Sequence, residues 1–137
     1  MKLVKESSVL YQPRKVSTSG DLFELIRQFI GDRDREYLVV IGVSAKNEPT
    51  LINTAHIGSV TQSIVHVREI MKPLILSNAD TFFIGHNHPS GYLEPSENDI
   101  LFTKRLKEAG ELIGIKLVDH LIVNDREYYS LKEFGLC

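Results

Sequence analysis

The sequence predicts a single domain of the α/β (α+β) class, in which helices flank a mixed central β-sheet. Apolar runs rich in β-branched residues alternate with segments whose apolar residues recur every three or four positions. Of the 137 residues, 42% are hydrophobic and 9 more are glycines, which is ordinary for a globular protein. No internal repeat and no linker rich in Gly, Ser and Pro divides the chain. A chain of this length buries about two-thirds of the surface that it exposes when unfolded, so one core is sufficient.

The first half of the chain predicts an extended arm, a helix and a hairpin. Residues 3–12 are extended in character and predict a short strand or arm. Residues 21–30 carry apolar side chains at helical spacing, and Gly31 is a typical stop signal. Residues 37–41 and 50–57 are two β-like runs, and together they predict a hairpin with a four-residue turn.

The second half predicts two further helices and two long strands. Residues 64–77 have helical spacing, although Pro73 predicts a kink or an early end of this helix. Residues 81–85 form a buried strand, and a turn-rich loop then leads to Ser96, which opens the next helix. Residues 115–123 form a final strong strand, with a short strand expected after it. The core stripe expected for the helix that begins at Ser96 is Phe102, Leu106, Ala109 and Ile113.

Composition and charge exclude several classes of protein. The 16 basic and 18 acidic residues give a net charge of −2, so bulk charge supports neither a nucleic-acid nor an acidic-membrane partner. The single cysteine, Cys137, excludes a disulfide framework, a Cys-rich zinc ribbon and the Cys-dependent zinc deaminases. No apolar run reaches the roughly 18 residues of a membrane span, and the first residues lack a signal-peptide core. We therefore expect a soluble cytoplasmic protein without a membrane partner.

The segment from His86 to Asp99 carries the residues that suggest chemistry. Side chains two apart on a strand point to the same face, so His86 and His88 can converge at the strand's carboxyl end. Asp99 lies three residues before Phe102, on the helix face directed at the core. Two histidines, one carboxylate and an open position for water form a catalytic zinc geometry. The spacing therefore predicts a metal centre.

Each part of this pattern has a simpler explanation when taken alone. Two histidines on one strand are often only solvated, and Ser96-x-x-Asp99 is typical of a helix N-cap. The cap and the metal role are compatible, because a cap fixes where Asp99 points. Five fixed residue types at about 5% usage each match by chance about three times in ten million starting positions. The combination is therefore specific.

The pattern His86-x-His88-Pro89 followed by Ser96-x-x-Asp99 resembles the signature of the JAMM (MPN-plus) metallopeptidases, and in particular the RadC subfamily. Further segments share this resemblance over roughly residues 16–137: Val-His-Val-Arg-Glu at 65–69, Arg-Leu-Lys-Glu-Ala-Gly at 105–110, and Asp119-His120. The resemblance implies a cytidine-deaminase-like, three-layer JAB/MPN domain over residues 16–137, preceded by an arm or strand over residues 1–15. RadC proteins carry an N-terminal helix-hairpin-helix segment, for which residues 1–20 leave no room.

The resemblance also implies roles for individual residues. His86, His88 and Asp99 would hold one Zn²⁺, Ser96 would assist at the oxyanion, and a glutamate upstream would act as general acid and base. The family places that glutamate beside the first core strand after the amphipathic helix, which selects Glu36. The rivals weighed against it are Glu48, Glu69, Glu94 and Glu97. His120 is expected to be a packed core histidine rather than a partner that orients a ligand.

These roles together predict a zinc-dependent hydrolase, namely a metallopeptidase that cleaves a peptide or isopeptide bond in a peptide or protein substrate. One alternative is a RadC-type DNA-associated protein or a metal-dependent nuclease, since zinc-activated water also attacks phosphorus. The other is a non-catalytic MPN interaction module, against which the presence of His86, His88 and Asp99 argues.

Overall fold

A computed structural model describes residues 2–3, 14–30, 35–56 and 66–137, with backbone only for 2, 3, 55 and 56. The strands within these ranges are β1 (Lys2–Leu3), β2 (Tyr37–Val43), β3 (Pro49–His56), β4 (Thr81–Asn87), β5 (Lys116–Val123) and β6 (Tyr128–Ser130). The helices are α1 (Ser19–Arg27), α2 (Val67–Leu76) and α3 (Glu97–Ile113). None of these helices has the length and apolar content that crossing a bilayer requires. Most of the predicted arm lies outside the described residues.

The six described strands form one mixed sheet in the order β1-β3-β2-β4-β5-β6. Strands β4 and β5 are parallel, and the other neighbouring pairs are antiparallel. The parallel pair requires a crossover, which α3 supplies between β4 and β5. The hairpin predicted from the first half of the chain is confirmed by the antiparallel pairing of β2 with β3, but five residues, 44–48, connect the strands instead of the four predicted.

Both faces of the sheet are covered, which gives three layers. On one face, Leu38 and Val40 of β2 share a buried apolar cluster with Leu74 of α2 and Leu106 of α3. On the other face a second cluster contains the alternate β2 residues, which pack with α1: Val39, Ile41, Leu22, Leu25 and Ile26. The α+β class with a mixed, helix-flanked sheet is therefore confirmed.

Two helices differ in detail from the prediction. Pro73 lies inside α2, which continues to Leu76 because Leu74 beyond the proline is fully buried in the core. In α3, Phe102 and Leu106 are buried as expected, but Ile113 is 46% exposed and Ala109 is only partly buried. Gly110 takes the interior position instead, since a Cβ there would collide with the carbonyl of Ile115. The expected apolar stripe is therefore correct only in the first half of this helix.

A one-residue bulge in β5 changes which of its side chains face which layer. Phe82 pairs with Leu117 whereas Phe83 pairs with Asp119, so Val118 is the extra residue. Leu117 belongs to the cluster beneath α2 and α3, but Leu121 beyond the bulge belongs to the cluster beneath α1. The bulge thereby directs the alternate residues of β5, including His120, towards α3.

Candidate metal centre

His86 and His88 meet at the carboxyl end of β4. His86 follows Ile84 on the face covered by α2 and α3 and is fully buried, while His88 comes directly after the strand and is partly exposed. Their Nε2 atoms are 3.0 Å apart. The period of two along the strand therefore brings the two imidazoles together.

Asp99 reaches the same point from the first turn of α3. Ser96 is the N-cap: its Oγ accepts from Asp99 N at 3.1 Å, and Asp99 Oδ2 accepts from Ser96 N at 2.9 Å. The same Oδ2 lies 3.0 Å from His88 Nε2, and Oδ1 lies 3.4 Å from His86 Nε2. The capping box thus aims a buried carboxylate at both histidines, and the predicted cap is confirmed.

Glu36 lies directly before β2, the strand next to β4. The antiparallel pairing of Leu38 in β2 with His86 in β4 brings Glu36 to the same end of the sheet. Glu36 is only 6% exposed, and its Oε1 lies 4.0 Å from His86 Nε2. The four rival glutamates are all exposed: Glu48, Glu69, Glu94 and Glu97.

Asn87, between the two histidines, holds the backbone on both sides of Glu36. Its Oδ1 accepts from Tyr37 N and its Nδ2 donates to Arg35 O, both at 2.8 Å. The side-chain amide is buried and ties the start of β2 to the end of β4. Sequence reasoning missed this residue. Its signal was an asparagine in a strand, where that residue type is depleted.

When both rings are neutral, the lone pairs of these residues face one another. His88 Nδ1 lies 2.8 Å from Tyr92 O, and a carbonyl only accepts, so Nδ1 carries the proton and Nε2 of the neutral ring carries a lone pair. Asp99 Oδ1 is buried and accepts no hydrogen bond within the described part of the chain. Either a proton on one of the rings or a bound cation must separate these acceptors, because an unmatched buried polar atom is costly.

The spacing of these atoms suits a small tetrahedral ion. Ligand atoms about 2.1 Å from such an ion lie about 3.4 Å from one another. The two Nε2 atoms are 3.0 Å apart, and each lies near one oxygen of Asp99: His88 Nε2 is 3.0 Å from Oδ2, and His86 Nε2 is 3.4 Å from Oδ1. Glu36, His86 and His88 also offer atoms within 4.8 Å of one another and could hold a metal ion. Glu36 is the most distant member of the group.

Charges around the site shift three pKa values. The hydrogen bond with Asp99 raises the pKa of His88 more than burial lowers it. Burial raises the pKa of Asp99, but the side chains of His86 and His88 together lower it by more, so it lies well below its ordinary value. Burial and the neighbouring His86 hold the pKa of His120 far below 6.5. The carboxylate is therefore ionised, as a metal ligand must be.

His120 and Ser96 complete the surroundings of the site. His120 is fully buried as expected, but its ring nitrogens lie next to the side chains of His86 and Thr103 rather than bonding the backbone. Ser96 is exposed, and accepting from Asp99 N does not use its hydroxyl proton. The oxyanion role of Ser96 stays a prediction.

A cleft of about 400 Å³ opens beside His88. Its wall includes Asn87, Gly91, Arg27 and Arg126. The loop after β4 is fixed over it, because Asn124 Nδ2 donates to Gly91 O at 3.1 Å. Of the residues of the candidate centre, His88 is the one that lines this cleft.

The fold and the site together define the class of this protein. It is a three-layer α+β domain in which two histidines and two carboxylates meet at one end of the sheet as a candidate metal centre. The family model of the RadC-like JAB domain matches residues 16–136. The chain belongs to this family.

Curated relatives agree with this assignment. A protein of Rubrobacter xylanophilus named "UPF0758 protein" is 40% identical over 138 residues, which cover 99% of this chain and 60% of the relative. Similarly named proteins of Clostridium botulinum and Desulforamulus reducens are 43% and 42% identical over 88% and 85% of this chain, and 53% and 51% of their own lengths. The chain thus spans between half and three-fifths of the relatives it matches, and their names state no activity.

Proposed function

We propose that this domain is a zinc-dependent hydrolase, and specifically a metallopeptidase that cleaves a peptide or isopeptide bond. The observation that carries the proposal is the buried Asp99 Oδ1, which has no donor within the described residues and lies 3.4 Å from His86 Nε2. A chain that needed these groups only for folding would have paired that atom.

In this proposal His86, His88 and Asp99 hold the ion, and Glu36 does not bind it directly. A zinc ion bound there would act as a Lewis acid and lower the pKa of a coordinated water towards about 7. The 4.0 Å between Glu36 Oε1 and His86 Nε2 suits a carboxylate that contacts water rather than the ion. Asn87 keeps Glu36 there by its two hydrogen bonds to the flanking backbone.

Glu36 serves as the proton carrier of the hydrolysis. Its carboxylate takes a proton from the attacking water, whose oxygen forms the new bond to the carbonyl carbon. The Ser96 hydroxyl donates to the carbonyl oxygen as negative charge develops there. Glu36 then gives its proton to the amine nitrogen as the carbon–nitrogen bond breaks. The products are a carboxylic acid and an amine, and Glu36 returns to its starting charge.

The proposal is tested by metal analysis and by one isosteric substitution. The purified full chain should contain about one zinc per molecule by elemental analysis. Glu36→Gln should retain that zinc and lose about 10²–10⁴-fold in hydrolysis of a peptide and isopeptide library, since general acid–base catalysis contributes that much. The exposed Glu94→Gln is the matched control and should change neither quantity.

Each other outcome identifies a different function. Unchanged hydrolysis in Glu36→Gln would remove Glu36 from its role. Cleavage of single-stranded or duplex DNA in the same assay, with intact peptides, would favour a nuclease. A wild-type protein that neither contains nor takes up zinc would favour a non-catalytic interaction module.

A further inference from the structure

A buried chain of polar contacts connects two of the proposed metal ligands through residues behind them. His86 Nδ1 lies 2.6 Å from His120 Nε2, and His120 Nδ1 lies 2.6 Å from Thr103 Oγ1. Thr103 Oγ1 in turn lies 2.8 Å from the backbone carbonyl of Asp99. His86, His120 and Thr103 are all fully buried. The contacts therefore begin at one ligand and end at the backbone of another.

The Asp99 carbonyl, at the end of this series of contacts, fixes the direction of every hydrogen bond in the series. The Asp99 carbonyl can only accept, so Thr103 spends its one hydroxyl proton there. Thr103 Oγ1 must then accept from His120 Nδ1–H. A neutral imidazole carries one proton, so His120 Nε2 accepts from His86 Nδ1–H. His86 is left with a lone pair on Nε2, the atom that faces His88 and Asp99.

The reverse direction would be unsuitable for binding metal. If the Thr103 hydroxyl donated to His120, the proton of His120 would lie on Nε2 and that of His86 would lie on Nε2 as well. That proton would occupy the position at which a metal must bind. The two directions thus differ in whether His86 can act as a ligand at all.

We propose that His120 and Thr103 are positioning residues that hold His86 in the Nδ1–H tautomer and so prepare its Nε2 for metal binding. The inference rests on the metal site of the proposed function, but not on what the site hydrolyses. The bulge at Val118 is needed for this arrangement, because it places His120 rather than Asp119 on the face towards α3. Neither residue touches substrate in this arrangement.

A matched pair of substitutions at position 103 tests the hydrogen bonds from His86 through His120 to Thr103 with the least disturbance of packing. Thr103→Val keeps the branched shape and removes the hydroxyl, whereas Thr103→Ser keeps the hydroxyl. Two substitutions at position 120 extend the test: His120→Leu removes both ring nitrogens, and His120→Gln supplies an oxygen that can accept from His86. Long-range ¹H–¹⁵N spectra of the metal-free full chain report the tautomer of each histidine. Competition with a chelator reports zinc affinity.

The wild-type protein and Thr103→Ser should show His86 protonated on Nδ1 and should bind zinc equally well. Thr103→Val should show both tautomers of His86 and a lower zinc affinity. His120→Leu should lose about 10–100-fold in zinc affinity, as is common when an outer partner of a ligand is removed, and His120→Gln should restore most of it. A purely structural role would lower stability in these variants without changing the tautomer of His86.

Two results would overturn the inference. One is a wild-type protein in which His86 carries its proton on Nε2. The other is a folded Thr103→Val protein with an unchanged tautomer and zinc affinity within twofold of wild type. If His120→Leu fails to fold, the pair at position 103 still decides. Zinc binding with the predicted tautomers but without hydrolysis would contradict the proposed function and leave this inference intact.

Discussion

The chain buries two aspartates on opposite sides of one sheet, and the two are satisfied in different ways. Asp119 of β5 accepts from His120 N at 2.7 Å, Lys132 N at 3.0 Å and Ser130 Oγ at 2.6 Å. Asp99 of α3 has one oxygen in its helix cap and another without a donor among the described residues. Burial is equally deep at both positions. The difference lies in whether the protein itself completes the hydrogen bonds of the carboxylate.

The pKa values of the two carboxyls differ in the same sense. Burial raises the pKa of Asp119 more than its hydrogen bonds with Ser130 and the backbone lower it. The pKa of Asp99 is lowered despite its burial, because His86 and His88 face it. A carboxylate bonded to several protein donors serves the fold, whereas one that faces histidines with an oxygen to spare is suited to a cation from outside.

The largest expected effect separates the two aspartates by metal affinity. Four-ligand zinc sites bind with about 10–16 kcal/mol, so one ligand contributes about 3–4 kcal/mol, or some 10²–10³-fold in affinity. Asp99→Asn should lose that much zinc affinity in a chelator competition. Asp119→Asn is the matched control and should bind zinc as the wild type does.

Asp99→Asn should also lower the stability of the metal-free protein at neutral pH. The folded protein lowers the pKa of Asp99, so its ionised form stabilises the fold above the ordinary pKa of 3.8, and asparagine cannot carry that charge. The amide oxygen still accepts from Ser96 N, which keeps the helix cap. Urea unfolding in chelator measures this loss, and a variant as stable as the wild type would mean that the histidines do not stabilise the charged carboxylate.

The second effect is the loss of stability when Asp119 is removed. Asp119→Ala leaves the Ser130 hydroxyl and the amides of His120 and Lys132 without their acceptor. A buried donor without an acceptor costs about 1–3 kcal/mol, and only the Lys132 amide is partly exposed and able to find water, so we expect a loss of about 2–4 kcal/mol in the free energy of unfolding. Denaturant unfolding in excess chelator measures this loss without any contribution from metal. An Asp119→Ala protein as stable as wild type would show that these hydrogen bonds do not support the fold.

The contrast also shows which parts of the molecule the sequence could predict. His86 and His88 share a strand, and Asp99 shares a capping box with Ser96, so local periodicity places all three. Glu36 required the family resemblance, because only the pairing of β2 with β4 brings it to the site. Its neighbour Asn87 was missed for the same reason, as its two partners lie about 50 residues away.

His120 and Asp119 could not be assigned to a face of the sheet from sequence. Side chains alternate along a strand, so a single extra residue exchanges the two faces for everything beyond it. The extra residue is Val118, within a run that reads as one uninterrupted strand. An unbroken strand would have carried Leu117 and Asp119 to the same face, with His120 opposite. His120 is buried as expected, and this slip directs its ring to the side chains of His86 and Thr103.

The smallest expected effect is the pH dependence of stability that Asp119 contributes. Its pKa in the folded protein is raised above the ordinary value of 3.8, so the unfolded chain releases this proton at a lower pH than the folded chain does. Between the two pKa values a rise in pH lowers the free energy of unfolding, because the unfolded chain has already released the proton that the folded chain still holds. Above the folded-state pKa the contribution of Asp119 is constant. Asparagine does not titrate, so the stability of wild type minus that of Asp119→Asn, measured by urea unfolding in chelator between pH 4 and 7, should decrease with rising pH.

A difference that grows with pH would mean that the three hydrogen bonds stabilise the charged form by more than burial opposes it. Asp119 would then resemble Asp99 in its electrostatics, and hydrogen-bond completeness alone would distinguish the two.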